Sequence, residues 1–303
     1  MKLLEDFTNS RDNKGNIVAS FGYGSGVFNQ AKYEKDEKSM IDMIFVVENT
    51  KLFTQENINN NPIDYSLTSK TIMKYIDLTA VKALNGVAYQ SNVKFHDSSF
   101  KYGIIGINKF LSDMQTLDSF FIPGRFQKEI YTVRSTDEID QAIKNNRELA
   151  LFIALLSLPR EKDNLLDLYQ QICRLSYDGD IRMLFAENPK KIENIVTGSF
   201  KFFLDTYGFD NKYFYSKSNG KIVIDEDSLY DGIFSLPENL LQYIINKGYL
   251  RAKSNNIGKL IKKRIEHINF KESIAQPVTG LITVGPVKST TYLVKKIGKR
   301  FSK

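Results

Sequence analysis

The feature that most constrains the fold is a glycine-rich turn between two strand-like segments near the start of the chain. An apolar segment at residues 17–21 leads into Gly22-Tyr23-Gly24-Ser25-Gly26, and a second apolar segment follows at residues 40–47. The length and β-branched content of the second segment predict a strand, although it contains one acid, Asp42. Glycines let backbone N–H groups approach an oxyanion closely. The pattern therefore predicts a sheet with a phosphate-binding turn at a strand end.

The small number of cysteines and histidines limits the kinds of catalysis and metal binding that the chain can support. The chain of 303 residues has one cysteine, Cys173, and two histidines, His96 and His267. This excludes an internal disulfide framework, and it excludes a zinc site of the usual Cys/His kind unless carboxylates contribute. We interpret both histidines as non-catalytic. Catalysis is then expected to depend on carboxylates, lysines, arginines and backbone amides.

The hydrophobic pattern predicts an α/β (α+β) fold in three parts. Residues 1–122 are predicted to form a mixed sheet with helices. Residues 123–270 are predicted to be mainly helical, and the third part, residues 271–303, is basic and amphipathic. Within the second part, helices are predicted at residues 137–158, 164–175 and 189–207, and a hairpin around Ser218-Asn219-Gly220. Two helices followed by a hairpin resemble a winged-helix module.

Basic residues concentrate at the C-terminal end. Residues 251–303 carry 13 basic and two acidic residues, a net charge of +11, while residues 1–250 have a net charge of −4. Residues 286–303 place Leu293, Ile297 and Phe301 on one helical face with lysines beside it, which predicts a basic amphipathic C-terminal helix. Such a helix either binds an anionic membrane surface or packs on its own domain, and the pattern leaves both alternatives open.

The glycine turn and Asp42 together indicate a class of chemistry. A Gly-Ser turn after a strand, followed by an acid on the next strand, is the minimal core of nucleotidyltransferases of the polymerase-β type. There the turn holds the nucleotide phosphates and the acid holds Mg²⁺. Such strands usually carry a second acid two residues further on, where this chain has Ile44. Mg²⁺ would then depend on phosphate and water oxygens, or on an acid from elsewhere.

Further segments in collinear order carry a more specific resemblance. They are YGSGVFNQ at 23–30, MIDMIFVV at 40–47, NPIDYS at 61–66, NGVAYQSNVKF at 85–95, KYGIIG at 101–106, PGRFQKEI at 123–130, LSYDGDIRM at 175–183 and GLITVGPVKSTTYLVKKIGK at 280–299. Together they resemble the mitochondrial-type phosphatidate cytidylyltransferases, the family also named for mitochondrial translocator assembly and maintenance. The sequence departs from that pattern at Ala88, where the family has an aromatic residue, and at Glu129, where it has proline.

The resemblance implies a reaction and a set of site residues. The reaction is CTP plus phosphatidic acid giving CDP-diacylglycerol and pyrophosphate, with Mg²⁺ as cofactor. Asp42 and Lys101 are expected to be catalytic, and Asp42 is also the expected metal ligand. The residues expected to bind substrate are Tyr23, Gly24, Ser25, Gly26, Arg125 and Lys128.

Each of the cations also has a structural alternative. Lys101 is equally compatible with a solvated strand end, Arg125 with a partner acid across the domain boundary, and Lys128 with the surface. Asp178 and Asp180 are interpreted as structural, capping the element that follows them, rather than as metal ligands.

The resemblance further implies a peripheral membrane enzyme without a nucleic-acid partner. The family's eukaryotic members act on the matrix side of the mitochondrial inner membrane. Residues 1–16 do not resemble a transit peptide and no segment is apolar enough to span a membrane. We therefore expect a bacterial enzyme bound to the cytoplasmic face of the membrane. Two alternatives stay open: a nucleotidyltransferase with another acceptor, and a basic winged-helix protein that binds nucleic acid.

Overall fold

A five-stranded mixed sheet organises the first part of the chain. The computed structural model describes residues 1–12, 14–28, 40–77, 79, 85–159, 162–185, 187–247 and 254–284. The strands are β1 (Ile17–Tyr23), β2 (Ile41–Val47), β3 (Ala88–Phe95), β4 (Ser98–Gly106) and β5 (Ile130–Arg134). Their order is β3-β4-β2-β1-β5. Strands β2 and β4 run parallel and the other neighbours are antiparallel, so the predicted mixed sheet is confirmed.

Helices cover this sheet and form most of the second part. In chain order they are α1 (Lys2–Arg11), α2 (Thr50–Asn60), α3 (Leu67–Tyr75), α4 (Ile107–Thr116), α5 (Pro123–Phe126), α6 (Asp137–Ser157), α7 (Leu165–Arg174), α8 (Ile181–Phe185), α9 (Lys191–Gly198), α10 (Phe200–Tyr207), α11 (Glu226–Asp231), α12 (Glu238–Asn246) and α13 (Ser254–Val284). The helix predicted at 189–207 is two helices, α9 and α10, which meet at Ser199. The predicted hairpin is confirmed as β6 (Phe214–Ser216) paired with β7 (Ile222–Ile224).

The two faces of the sheet bury different helices because side chains alternate along each strand. On β2, Met43 and Phe45 pack with Phe7 of α1 and Phe53 of α2. The opposite face buries Ile44 and Val46 together with residues of α4, α5 and α6, among them Phe110, Met114, Phe126 and Ile139. Asp42 lies on this second face by the same alternation, next to α5.

Helix α6 connects the sheet to a separate helical core. Thr136 caps its N-terminus by accepting a hydrogen bond from the amide of Ile139, and Asp137 and Glu138 lie in its first turn, where acids are favourable. Its first turns pack on the sheet through Ile139 and Ile143. Its last turns, from Ala150 onward, pack with α7, α9, α10, α12 and α13. The boundaries at 122/123 and 270/271 stay predictions, and β5 joins the sheet after the first of them.

A buried polar network supports β4 from the face opposite Asp42. The Arg11 guanidinium donates to both oxygens of Asp64 at 3.0 and 2.9 Å, and the Tyr102 hydroxyl donates to the same carboxylate at 2.9 Å. Such bidentate, charge-assisted bonds have defined geometry. They anchor Tyr102 on this face, and by the alternation of side chains along β4 the neighbouring Lys101 lies on the face of Asp42.

The long helix α13 extends 31 residues, to Val284. The predicted basic helix at 286–303 lies outside the described residues. Within the described ranges, no helix combines the length and apolarity that a membrane span requires. Helix α13 packs against α6 and buries Ile257, Ile261 and Ile265 in the helical core.

One buried acid fixes α13 to the loop that leads to α5. Glu272 is 9% exposed and accepts a hydrogen bond from the amide of Phe120 at 3.3 Å. Burial raises the pKa of Glu272 to about 7, and the nearby charge of Asp113 adds to the rise. Hydrogen bonds from Ser119 and the Phe120 amide, and the charge of Arg125, lower the pKa but do not outweigh burial. The folded protein therefore binds this proton more tightly than the unfolded chain does.

We expect this carboxyl to make stability fall as the pH rises. Between about pH 4.5 and 7 the folded state holds more protons, so the Glu272 contribution is present at pH 4.5 and lost by pH 7, up to about 3 kcal/mol. Glu272→Gln keeps the acceptor and removes the titration. Denaturant unfolding at pH 5 and pH 8 should show the variant gaining stability over the parent at pH 8 only. Glu266→Gln, on the same helix but 42% exposed, is the control; equal gains at both pH values would contradict the prediction.

Candidate active site

Three of the expected site residues form one row across the sheet. In the antiparallel register Tyr23 on β1 lies opposite Asp42 on β2, and in the parallel register Asp42 lies beside Lys101 on β4. The Lys101 ammonium is 3.8 Å from Asp42 Oδ1, and the two side chains are 26% and 27% exposed. A carboxylate and an ammonium, both partly exposed, are thus held side by side on neighbouring inner strands. Lys101 is therefore not a merely solvated strand end.

The glycine turn folds back over this row. Gly24 has a φ of +76°, a conformation that other residues rarely adopt, and a Cβ there would lie 3.7 Å from Asp42 Oδ2. The amides of Val27 and Phe28 donate to the Gly24 carbonyl at 3.1 and 3.0 Å. The amides of Ser25 and Gly26 have no acceptor among the described residues. The turn therefore offers free N–H groups beside Asp42.

Gly26 has a different role from Gly24. A Cβ at this position would lie 2.4 Å from the carbonyl oxygen of Met40 and 2.9 Å from the Cα of Ile41. The absence of a side chain lets the turn pack directly on the first residues of β2. Gly26 thus places the turn close to Asp42, while Ser25 stays exposed at its tip.

Arg125 enters the same face from α5. Its guanidinium lies 5.4 Å from the ring centre of Tyr23 and 4.1 Å from that of Phe121, and Nη1 donates to the Phe121 carbonyl. Burial alone would lower the pKa of Arg125, but Tyr89, Tyr23 and Asp42 nearby outweigh it and raise the pKa. The alternative of an acid partner across the boundary is not observed among the described residues. Arg125 is a half-buried cation near Asp42.

Lys128 follows α5 and contacts the segment between α7 and α8. Its ammonium donates to the Gly124 carbonyl and to the Ser176 hydroxyl, the latter at 2.9 Å, and lies 5.2 Å from the ring centre of Tyr177. Burial lowers the pKa of Lys128 below its usual value. The side chain is half-buried rather than on the surface. Its hydrogen-bond partners are neutral, which leaves its charge available for an anion.

The acids around Gly179 have structural roles. Asp180 forms an ion pair with Arg182 and accepts a hydrogen bond from the Arg182 amide at 2.9 Å. Asp178 lies 3.5 Å from Arg174 and 3.6 Å from Lys262. These contacts agree with the interpretation of both acids as structural. Cys173 is also inert, because burial raises the pKa of its thiol to about 12.

The carboxylate available to a metal in this site is Asp42. Among the described residues, no three His, Cys, Asp or Glu side chains lie together in a way that would hold an ion, and Ile44, in the place of a second acid, is buried in the core. Mg²⁺ commonly binds through one or two carboxylates, substrate phosphates and water. Asp42, partly exposed and beside free amides, fits such a site once a triphosphate is present.

Two residues of this face were not identified from the sequence. Tyr89 on β3 lies under the Lys101 ammonium, which is 4.6 Å from its ring centre. Arg182 of α8 lies near enough to Tyr89 to affect the pKa of its phenol. Both residues lie in segments that carry the family resemblance, 85–95 and 175–183. Membership of these segments was the sequence signal that could have identified them as site residues.

The fold and this site define a class of protein. A mixed sheet with a glycine turn after β1, an acid on β2 and cations converging on it is the arrangement of an α+β nucleotidyltransferase. A sequence model of the family described as "Phosphatidate cytidylyltransferase, mitochondrial" matches residues 7–228. The chain belongs to this family.

Individual relatives extend the match over nearly the whole chain. The phosphatidate cytidylyltransferase of Schizosaccharomyces pombe is 30% identical, over 93% of this chain and 80% of its own length. That of Xenopus laevis is 29% identical, over 93% and 90%, and that of Saccharomyces cerevisiae 33% identical, over 90% and 64%. All three are eukaryotic proteins named as mitochondrial, so they give no support to the expected bacterial source.

Proposed function

We propose that this chain transfers the cytidylyl group of CTP to phosphatidic acid, giving CDP-diacylglycerol and pyrophosphate. The observation that carries the proposal is the row of Tyr23, Asp42 and Lys101, with the glycine turn and Arg125 beside it. The relatives from Schizosaccharomyces pombe, Xenopus laevis and Saccharomyces cerevisiae are all named as phosphatidate cytidylyltransferases.

The reaction needs positioning and charge neutralisation more than a base. A phosphate oxygen of phosphatidic acid attacks the α-phosphorus of CTP, and the bond from that phosphorus to the oxygen of the β-phosphate breaks. The attacking oxygen is already an anion, so no proton has to be removed first. This suits a site made of one carboxylate, cations, phenols and amides.

Each group has a task that its position supports. The free amides of Ser25 and Gly26 would bind the triphosphate. Lys101 and Arg125 would neutralise charge on the reacting phosphates, and Lys128 would bind a phosphate of CTP or of the lipid. Asp42 would hold Mg²⁺, which neutralises charge on the triphosphate and polarises the α-phosphoryl group when bound.

A direct assay tests the proposal. The full chain is incubated with CTP, Mg²⁺ and vesicles that contain phosphatidic acid, and CDP-diacylglycerol and pyrophosphate are measured together. ATP, GTP and UTP serve as nucleotide controls, and vesicles without phosphatidic acid as the acceptor control. Product that forms only with CTP and phosphatidic acid supports the proposal. Turnover of CTP only with another acceptor would instead support a nucleotidyltransferase of different specificity.

Substitutions in the turn should separate the roles of Gly24 and Ser25. A Cβ at Gly24 would be in ordinary contact with Asp42 Oδ2, at 3.7 Å. The larger side chain of Gly24→Val would extend into the space proposed for the phosphates, and the variant should raise the KM for CTP about tenfold or more. Ser25→Ala removes one bond to a charged phosphate, roughly 1.5–3 kcal/mol. Gly220→Val is the matched control, because Gly220 has a similar φ of +79° and open space around it. If Gly24→Val binds CTP normally in calorimetry, the turn is structural only.

We also propose that the basic C-terminal segment brings the enzyme to its lipid substrate. The support comes from sequence alone: Lys288, Lys295, Lys296, Lys299, Arg300 and Lys303 accompany the apolar residues of 286–303. Each basic residue near an anionic leaflet contributes about 1 kcal/mol of attraction. Phosphatidic acid stays in the bilayer, so surface binding would raise turnover without changing the chemistry.

Truncation after Gly285 tests this role of the segment. The truncated protein should sediment less with phosphatidate vesicles and turn over vesicle substrate more slowly, while a short-chain, water-soluble phosphatidate should be largely spared. Full-length protein in high salt is the comparison for the electrostatic part. Unchanged co-sedimentation of the truncated protein would leave the alternative, in which the segment packs on its own domain.

A further inference from the structure

The ring of Tyr89 lies across the sheet, directly over Gly103. These residues are paired across β3 and β4. A Cβ on Gly103 would lie 2.8 Å from Cε1 and 3.0 Å from Cζ of Tyr89, closer than real side chains approach. The tip of the ring therefore occupies the space that any other residue at position 103 would fill. The Tyr89 hydroxyl is carried beyond β4, toward β2 and Asp42.

Neighbouring side chains fix this ring. The Lys101 ammonium lies 4.6 Å from its centre, a cation–π contact, and the Phe121 ring meets it edge-on at 6.0 Å between centres. Tyr89 as a whole is 8% exposed. Tyr89 is therefore held in one orientation beside the row of Asp42 and Lys101.

Three buried polar atoms meet at this place without well-formed hydrogen bonds. The Tyr23 hydroxyl lies close enough to Tyr89 and to Arg125 for their hydrogen-bonding to affect each other's pKa. Even so, the two hydroxyls and Arg125 Nε make no hydrogen bond of good geometry among the described residues. A phenol is protonated at neutral pH, so both hydroxyls are able to donate. Buried donors without acceptors are rare, because each costs free energy. Three donors that face one another beside Asp42, without well-formed bonds between them, indicate room for an acceptor among them.

We propose that the hydroxyls of Tyr89 and Tyr23, together with the Arg125 guanidinium, bind a phosphoryl oxygen of a substrate. Two phenols and a guanidinium offer only donors to an oxyanion and carry a net positive charge. The inference rests on the proposed function for the identity of the substrates, CTP and phosphatidic acid. Either one supplies a phosphoryl oxygen, and the experiment distinguishes the two. Gly103 acts indirectly, by leaving the space that Tyr89 needs.

Tyr89→Phe tests the hydroxyl alone, because the ring and its contact with Lys101 remain. CTP binding is measured by calorimetry without acceptor, and the KM for short-chain phosphatidate is measured at saturating CTP. Loss of one bond to a charged phosphate should weaken one of the two by about 10- to 100-fold. Weakened CTP binding assigns the site to the nucleotide, and a raised KM for phosphatidate assigns it to the lipid phosphate.

Tyr169→Phe is the matched control. Its hydroxyl is also buried without a partner among the described residues, but it lies in the helical core. This variant should change neither CTP binding nor the KM for phosphatidate. Gly103→Ala would press on the Tyr89 ring tip and on Ile44 Cδ1, and it should show a defect in the same measurement as Tyr89→Phe.

A failure of this inference can be distinguished from a failure of the proposed function. If Tyr89→Phe changes only the free energy of unfolding and leaves CTP binding and the KM for phosphatidate as in the parent, the inference is wrong and the hydroxyl is satisfied by buried water. If the parent binds CTP but never uses phosphatidic acid, the proposed acceptor is wrong. The calorimetric comparison of Tyr89→Phe then still decides whether the site binds the nucleotide.

Discussion

Asp42→Asn should lower the rate of cytidylyl transfer by roughly 10²–10⁴ and leave the fold intact. The substitution keeps the size of the side chain and removes the carboxylate on the row of site residues. Asp42 is the carboxylate beside the glycine turn, so a metal held with the triphosphate would lose its protein ligand. The cost to stability should be small, because the ion pair with Lys101 is loose, at 3.8 Å, and partly exposed.

Two measurements and one control make this prediction specific. Turnover is measured on phosphatidate vesicles, and Mg²⁺-dependent CTP binding is followed by calorimetry, which does not require catalysis. Asp97→Asn is the control, since Asp97 is an exposed acid in the turn between β3 and β4 of the same sheet. Near-normal turnover by a folded Asp42→Asn protein would remove Asp42 from the mechanism.

Part of the row of site residues was predictable from the sequence, because Asp42 lies in a segment with a clear strand pattern and Tyr23 lies beside the glycine turn. The β-branched content of residues 40–47 predicts β2, and alternation then places Asp42 on one face and Met43 on the other. The glycines at 22, 24 and 26 predict the turn, and Gly24 adopts a positive φ that other residues rarely adopt. That Lys101 lies beside Asp42 depends on the parallel register of β2 and β4, which no local pattern specifies.

Tyr89 shows why the rest of the site was missed. Its position over Gly103 depends on how β3 pairs with β4, and that pairing shifts in register between Gln90 and Val93. Asn92, inside the shift, has a φ of +59°. A strand irregularity of this kind changes which residues face each other. The sequence contains both Tyr89 and Gly103, but nothing in their spacing states that they touch.

The helical part was predictable where capping and turn residues are strong. Asn164 accepts a hydrogen bond from the Asp167 amide at 2.9 Å and begins α7 as expected, and the Asn-Gly turn produced the hairpin. The break between α9 and α10 at Ser199 was not predicted. There the Ser199 hydroxyl bonds Glu129, 70 positions away. A long-range contact of this kind accompanies the break and leaves no local signal.

Lys101→Met should lower kcat/KM by roughly 10²–10³, because it removes a cation aimed at charge that develops on the reacting phosphates. Methionine has a similar length, and its thioether packs favourably against an aromatic ring, so the contact with Tyr89 is retained in apolar form. The variant therefore isolates the charge from the packing. Lys101→Arg keeps the charge in a different shape and should recover part of the rate.

The control for Lys101 comes from the neighbouring strand. Lys94 is exposed on β3, paired in register with Ser99 of β4, and Lys94→Met removes the same charge from the same sheet. It should leave kcat/KM within about twofold, as surface charges contribute little. If Lys101→Met falls no further than Lys94→Met, Lys101 only balances the charge of Asp42 in the free protein. In that case neutralisation of the reacting phosphates must come from Arg125 and Lys128 instead, and the rate loss should move to those positions.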